Sequence, residues 1–231
     1  MIKNIKVILL ISVLFLGSCG DSDTTYTSSE TITTQLNYPS VGDGTFETPY
    51  IIGSGLYEFI GEKYYSIDVT RDNCNVLLYG VINFDSLNDA LFIDAGQNSA
   101  IEPNSNYLYE RLDKDRYNII VEKRLYSQFG LLSTCIDETY GSTKHIQILE
   151  DDDRVVMSDN TILYKFTVTS ISTISLNTTG DDVTVQLYDN QIASIYSNTS
   201  DKHSRTVPAG EYYMLLSKFS TNNINFVFNI D

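Results

Sequence analysis

The feature that most limits what this chain can fold into is an internal echo. Residues 204–218, SRTVPAGEYYMLLSK, recur in weaker form as residues 110–123, ERLDKDRYNIIVEK. In each copy a short polar turn (Pro208, Ala209 and Gly210, or Asp113, Lys114 and Asp115) runs into a segment whose alternate residues are apolar. Those residues are Tyr212, Met214 and Leu216 in one copy and Tyr117, Ile119 and Val121 in the other. A period of two marks a strand with one face in a core. The same kind of match joins Tyr65, Ile67 and Val69 to Tyr164, Phe166 and Val168, and Val76 and Leu78 to Ile174 and Leu176. Residues 226–230 close the second copy as 131–135 close the first. Strand after strand matching in this way predicts two copies of one folding unit.

In the first copy the strand-like segments fall at 56–60, 64–69, 75–81, 91–94, 107–112, 117–122 and 129–136, separated by Gly, Asn, Asp or Ser. The one stretch with helix-favouring residues, 85–94 (DSLNDALFID), sits where the second copy has 182–189 (DVTVQLYD). There Val183, Val185 and Leu187 alternate, so a strand is expected at both places. Short strands between frequent turns are the pattern of a sandwich or jelly roll. The expected fold class is all-β, with two tandem antiparallel β-sandwich (jelly-roll-like) domains over residues 41–149 and 150–231. Each copy has strands enough to close a core of its own, which makes the pair two bodies rather than a solenoid.

Residues 1–18 are read separately. Lys3 and Lys6 make a charged leader, residues 7–16 an apolar run, and Leu16, Gly17, Ser18 and Cys19 a lipobox. A run of about ten apolar residues falls well short of the roughly 20 that span a bilayer as a helix, so a cleaved signal is expected. Small residues at 17 and 18 admit a peptidase to the backbone, and the Cys19 thiol would take diacylglycerol. Residues 19–40 are rich in Ser, Thr, Asp and Gly and show no apolar period, as in a flexible tether. The expected location is exported and lipid-anchored to a bacterial membrane, at the outer membrane or cell surface, with the membrane as partner through the lipid on Cys19.

Without Lys3 and Lys6 the 15 basic residues become 13, and against 30 acidic ones the mature charge is −17. A field of that sign repels phosphate backbones, which argues against nucleic acid as a partner and favours accumulation of cations. Cys74 and Cys135 remain once Cys19 is lipidated, and an exported thiol pair in one domain is a disulfide candidate.

No catalytic residue, metal site or cofactor is assigned. His145 and His203, the only histidines, lie at non-equivalent places and in no HExxH, HxxxH or Cys-rich spacing. No GxSxG elbow or phosphate loop is present, and adjacent acids such as Asp181 and Asp182 read as solvated turns. Carboxylates near the start of each domain (Asp43 and Glu47; Glu150, Asp151, Asp152 and Asp153) are the candidates for calcium, with the missing DxDxDG pattern against them. The paired Tyr64 and Tyr65, and Tyr212 and Tyr213, place one ring on each face of a strand. β-propensity accounts for such pairs. Tyr213 with Leu215 is also a candidate for the contact between the two domains.

The opening Gly42, Asp43 and Gly44 with Pro49 and Tyr50, the early YYSIDV at 64–69, the VQLYD at 185–189 and above all the VPAGEYY at 207–213 resemble the bacterial pre-peptidase C-terminal domain family, twice over. The first copy departs from it, with Asp115, Arg116 and Tyr117 where a Gly-Glu/Thr-Tyr-Tyr turn is usual. The resemblance implies a β-sandwich accessory module of secreted and cell-surface proteins. Such modules are often appended to proteases and sometimes attach to substrate or polymer, without protease activity of their own. Similar collagen-binding modules hold calcium near the domain opening, and no residue-by-residue match to such a site is visible here. The functional expectation is a non-catalytic, lipid-anchored binding or structural module whose partner is an extracellular protein or polysaccharide. The alternative is an accessory subunit of an exported hydrolase, or a cryptic hydrolase.

Overall fold

The computed structural model describes residues 36–58, 64–82, 91–94, 99–100, 107–121, 126–218, 220 and 222–231. The first half of the chain supplies β1 (Tyr50–Ile51), β2 (Gly55–Glu58), β3 (Tyr65–Asp68), β4 (Cys74–Ile82), β5 (Leu91–Asp94), β6 (Ser99–Ala100), β7 (Tyr107–Leu112), β8 (Arg116–Val121) and β9 (Tyr126–Ser133). A 3-10 turn, Glu138–Tyr140, follows. The second half supplies β10 (Gln147–Ile148), β11 (Asp153–Met157), β12 (Thr161–Val168), β13 (Ser172–Thr178), β14 (Val183–Asp189), β15 (Ser194–Ser200), β16 (Lys202–Val207), β17 (Gly210–Lys218) and β18 (Ile224–Ile230).

Four sheets result, and they come in two matching pairs. The first pair runs β1-β3-β8-β5-β6 and β2-β9-β4-β7; the second runs β10-β12-β17-β14-β15 and β11-β18-β13-β16. Adding nine to every label of the first pair gives the second. Within each set the last eight strands follow the order of a jelly roll, two four-stranded sheets closed face to face. A ninth, two-residue strand is added at one edge, and it pairs in parallel: Tyr50 opposite Tyr65, and Gln147 opposite Tyr164. Two residues cannot show a period, so these edges left no mark in the hydrophobic pattern. β10 begins at residue 147 and pairs into the second set.

Strand register follows the sequence echo in the matched interior strands. Tyr65 faces Ile119 as Tyr164 faces Met214, and Ile67 faces Tyr117 as Phe166 faces Tyr212. The closing strands depart from it. Leu78 opposes Leu131 whereas its counterpart Leu176 opposes Phe228, so Leu131 corresponds to Phe228 and not to Phe226. A slip of two residues leaves every side chain on the same face, which is why alternation alone does not detect it.

The turn in question in the first copy works as its counterpart does. The Tyr117 hydroxyl donates to the Asp113 carbonyl at 2.9 Å, and the Tyr212 hydroxyl to the Pro208 carbonyl at 2.8 Å. Each tyrosine reaches back four residues and closes the turn that feeds its strand, so the Gly of the second copy is dispensable in the first.

Each set of strands encloses its own core. Tyr65, Ile67, Val76, Leu78, Ile119 and Phe129 are among the buried residues of the first, and Tyr164, Phe166, Leu176, Leu187, Met214 and Phe228 of the second. β4 behaves differently from a strand with one wet face: Val76, Leu77, Leu78 and Tyr79 are all 2% exposed or less. An unbroken apolar run is what a strand covered on both faces requires. Val76 and Leu78 enter the first core, while Leu77 and Tyr79 point the other way.

Candidate functional site

The far side of β4 is covered by the second sandwich. Leu56, Leu77, Tyr79 and Leu132 from the β2-β9-β4-β7 sheet form one buried cluster with Leu163, Tyr188, Ile192 and Leu215 from β12, β14, β17 and the turn after β14. Leu36, Tyr107, Tyr109, Ile146 and Tyr213 pack around it. Leu215 is fully buried, with Tyr213 half-buried beside it, so this pair does lie at the contact between the two sandwiches.

The rim of this seam is polar, as in protein interfaces generally. Arg71 donates to Thr134 at 3.1 Å and across the seam to Gln191 at 3.3 Å, and the Asn75 amide donates to the Gln191 carbonyl at 3.0 Å. The Tyr109 hydroxyl donates to Asn75 at 3.0 Å, while its ring lies 5.7 Å from that of Tyr188.

Two local devices build the seam. Gly130 sits opposite Tyr79, and a Cβ there would come within 2.0 Å of the tyrosine ring, so only glycine lets that ring lie across the strand. Ile192 holds a left-handed backbone, φ 59°, which a β-branched residue rarely adopts. The Asp189 carboxylate enforces it by accepting from the Gln191 and Ala193 amides, both at 2.8 Å, while the Ile192 amide donates to the Asp189 carbonyl at 3.0 Å. The strain is held because the Ile192 side chain is completely buried in the seam.

Both histidines are structural by their contacts. His145, buried in the segment linking the sandwiches, takes the Tyr79 hydroxyl at 2.9 Å on Nε2 and faces the Ser142 carbonyl at 3.3 Å through Nδ1. That pairing fits the tautomer protonated on Nδ1. Burial pushes its pKa down to about 4, with the Ser142 bond partly opposing. His203 stands at the β16 position that Leu108 holds on β7. Its Nε2 lies 3.1 Å from the Val183 carbonyl and 3.0 Å from that of Ser200, and Nδ1 lies 3.3 Å from the Tyr196 hydroxyl. Burial lowers its pKa as well, against those two carbonyl bonds.

Lys218 is likewise enclosed, its ammonium donating to the Met157 carbonyl at 2.9 Å and the Asn222 carbonyl at 2.7 Å. Desolvation pushes its pKa down, with Asp159 and Asp181 opposing.

Cys74 and Cys135 are joined by a disulfide with Cα atoms 5.8 Å apart, tying the start of β4 to the segment that follows β9. Cys19 lies outside the described residues.

Four of the acidic candidates at the domain openings have partners. Asp43 accepts from the Thr45 amide at 3.0 Å and from the Thr48 hydroxyl. Asp153 accepts from the Glu150 amide at 2.6 Å, Asp151 from the Ile230 amide at 2.7 Å, and Asp152 lies 3.8 Å from Arg154. Among the described residues no three carboxylate, imidazole or thiol groups converge as a metal would need.

Outside the seam one surface feature stands apart. Tyr38, Val41, Phe46 and Tyr64 are exposed, Phe46 to 67%, and the Phe46 and Tyr64 rings meet edge-on at 5.5 Å. The strand pattern did not single out Phe46, because it lies in a loop where no period operates.

No protein-family model matches the chain and no curated protein matches it. Among solved structures it is similar to the pre-peptidase C-terminal domain of collagenase from Bacillus anthracis. That match has 15% identity, covers 37% of this chain and 94% of that one, and has a TM-score of 0.31. It is also similar to the CUB1-EGF-CUB2 domain of human MASP-1/3, at 9% identity over 77% of this chain and 99% of that one, with a TM-score of 0.23. The fold assignment rests on the sheet topology itself.

Proposed function

We propose that this chain is a non-catalytic, lipid-anchored, exported module that binds or holds in place an extracellular protein or polysaccharide. The observation that carries the non-catalytic reading is where the reactive side chains are spent. His145, His203 and Lys218 are buried and bound to tyrosine hydroxyls or backbone carbonyls. Asp43, Asp151 and Asp153 each brace a backbone amide at the surface. A nucleophile or general base needs a free face toward substrate, and the two histidines and Lys218 are turned into the fold. The leader and lipobox around Cys19 support export and anchoring, and the strand motifs that resemble pre-peptidase C-terminal domains support an accessory role.

An activity screen of the full chain on peptide and glycan substrates tests the first half of this reading. Turnover abolished by His145→Gln, His203→Gln or a single carboxylate substitution, with the fold intact, would establish the hydrolase instead. Fractionation tests the second half: wild type should incorporate labelled fatty acid and stay with the membrane through a salt wash, and Cys19→Ala should be released.

A further inference from the structure

We infer that the exposed aromatic patch at the start of the folded chain docks on the lipid surface to which the chain is anchored; this rests on the lipid-anchor reading above. Four of the six exposed large apolar side chains among the described residues, Tyr38, Val41, Phe46 and Tyr64, lie within residues 38–64. The patch is built rather than loose. Val41 pairs with Ile51, and the Asp43 and Gly44 amides both donate to the Thr48 carbonyl at 3.1 Å. The Tyr64 amide donates to the Gly44 carbonyl at 3.1 Å, which fixes the loop against the start of β3 and sets the Phe46 ring on that of Tyr64. Asp43 hydrogen-bonds Thr45 and Thr48 within the loop while staying exposed, and Glu47 is exposed beside Phe46, so the loop presents its rings together with acid.

The place of the patch in the chain identifies its occupant. The described chain opens at Leu36, which packs on the seam cluster, and Asn37, whose amide donates to the Leu56 carbonyl at 2.7 Å; Tyr38 follows at once, 69% exposed. Cys19 precedes Leu36 by 36 − 19 = 17 residues. Seventeen residues reach at most about 60 Å in any conformation, so an anchored chain holds the patch close to the bilayer at all times. Tethering at that range gives an effective concentration on the order of millimolar, at which a surface too weak to bind alone stays occupied. Aromatic rings with a polar handle suit the headgroup zone. With a formal charge of 13 − 30 = −17 on the anchored chain, the matching surface is zwitterionic rather than anionic.

The chain contains no Trp, so Phe46→Trp makes a single-site reporter. Full-length lipidated protein carrying it is reconstituted into phosphatidylcholine vesicles with and without dibrominated chains. Incorporation of labelled fatty acid is read on the same sample. The expected result is a blue-shifted emission quenched at least twofold by the brominated lipid, with Ile171→Trp, an exposed site in the second sandwich, unquenched. Tyr38→Trp serves as the second reporter should Phe46→Trp fail to fold, and is expected to be quenched as well. Lipid incorporation with unquenched reporters overturns the docking inference and leaves the anchor standing, whereas absent incorporation removes both. Equal quenching at Ile171→Trp overturns it, as does an emission that shifts with protein concentration in detergent and not with lipid, which would assign the patch to a second copy of the chain.

Discussion

Acid should open the seam through His145. Its unfolded pKa of 6.5 falls to about 4 in the fold because burial disfavours the imidazolium. The folded state therefore binds this proton less readily than the unfolded state. The histidine's full contribution is present above pH 6.5 and is lost as pH falls toward 4. A displacement of about 2.5 units at 1.36 kcal/mol per unit makes the loss about 3 kcal/mol at pH 4. The proton must also enter where Nε2 now accepts the Tyr79 hydroxyl, 2.9 Å away at the back of β4, so the strain falls on the seam. The assay is urea unfolding of wild type and His145→Phe at half-unit steps from pH 7.5 to 4. The phenylalanine variant loses the Tyr79 bond at every pH and should start less stable, but its stability should fall less steeply between pH 6.5 and 4. Carboxylates titrate in both proteins and cancel in the difference. Two curves that stay parallel through that window would refute the reasoning.

Four other outcomes follow from the seam and the disulfide. Wild type should melt in a single calorimetric transition because the seam couples the sandwiches, and Leu215→Asp, which buries an unpaired charge there, should cost several kcal/mol and split it into two. Gly130→Ala should destabilise by expelling the Tyr79 ring, seen as a lower urea midpoint and faster amide exchange along β4. Ile192→Gly should relieve the left-handed backbone yet still lower the urea midpoint, because it removes a fully buried anchor worth roughly 2 kcal/mol. Reducing Cys74–Cys135, which spans 61 residues, should lower stability by about 4 kcal/mol in the chain-entropy model, read as a shift in midpoint between oxidised and reduced protein.

Much of the fold was legible because it is written twice. The alternation at Tyr117, Ile119 and Val121 and its copy at Tyr212, Met214 and Leu216 located β8 and β17, and the pairing register of these strands with β3 and β12 is the one the echo implies. What escaped detection follows from physics as well. The two-residue parallel edges have no period, and a slip of two in β9 against β18 preserves the facing of every side chain. The seam was harder to read. Leu77 and Tyr79 signal burial on both faces of β4, but nothing in a linear pattern says what covers the second face. Ile192 sits in DNQIA, where a turn is foreseeable from Asp189 and Asn190 and a left-handed isoleucine is not. The exposed aromatic pair at Phe46 and Tyr64 depends on a tertiary contact between a loop and a strand start, which composition does not encode.

The seam joins unlike faces, and that raises the question of why the stacking does not continue. In a repeated unit that docks the back of one sheet onto the front of another, the same two faces remain open at the ends and invite further copies. Pairing register identifies the residues of the second sandwich that stand where the first makes its contact. Leu77 lies between Leu132 and Tyr109, and its counterpart Ser175 lies between Asn229 and Ser204. Tyr79 and Tyr107 correspond to Asn177 and Lys202, and Leu56 to Arg154. The apolar docking face of the first unit is thus rewritten in the second as Ser, Asn, Lys and Arg, with Val227 in the place of Gly130. At the other end the change is partial: Asn118 stands where Tyr213 does, but Ile120 and Tyr64 hold the places of Leu215 and Leu163. Polar outer faces are what end units of a stacked array need to stay soluble. The second copy has therefore lost the apolar face on which a third unit would dock, and that ends the stack on its side.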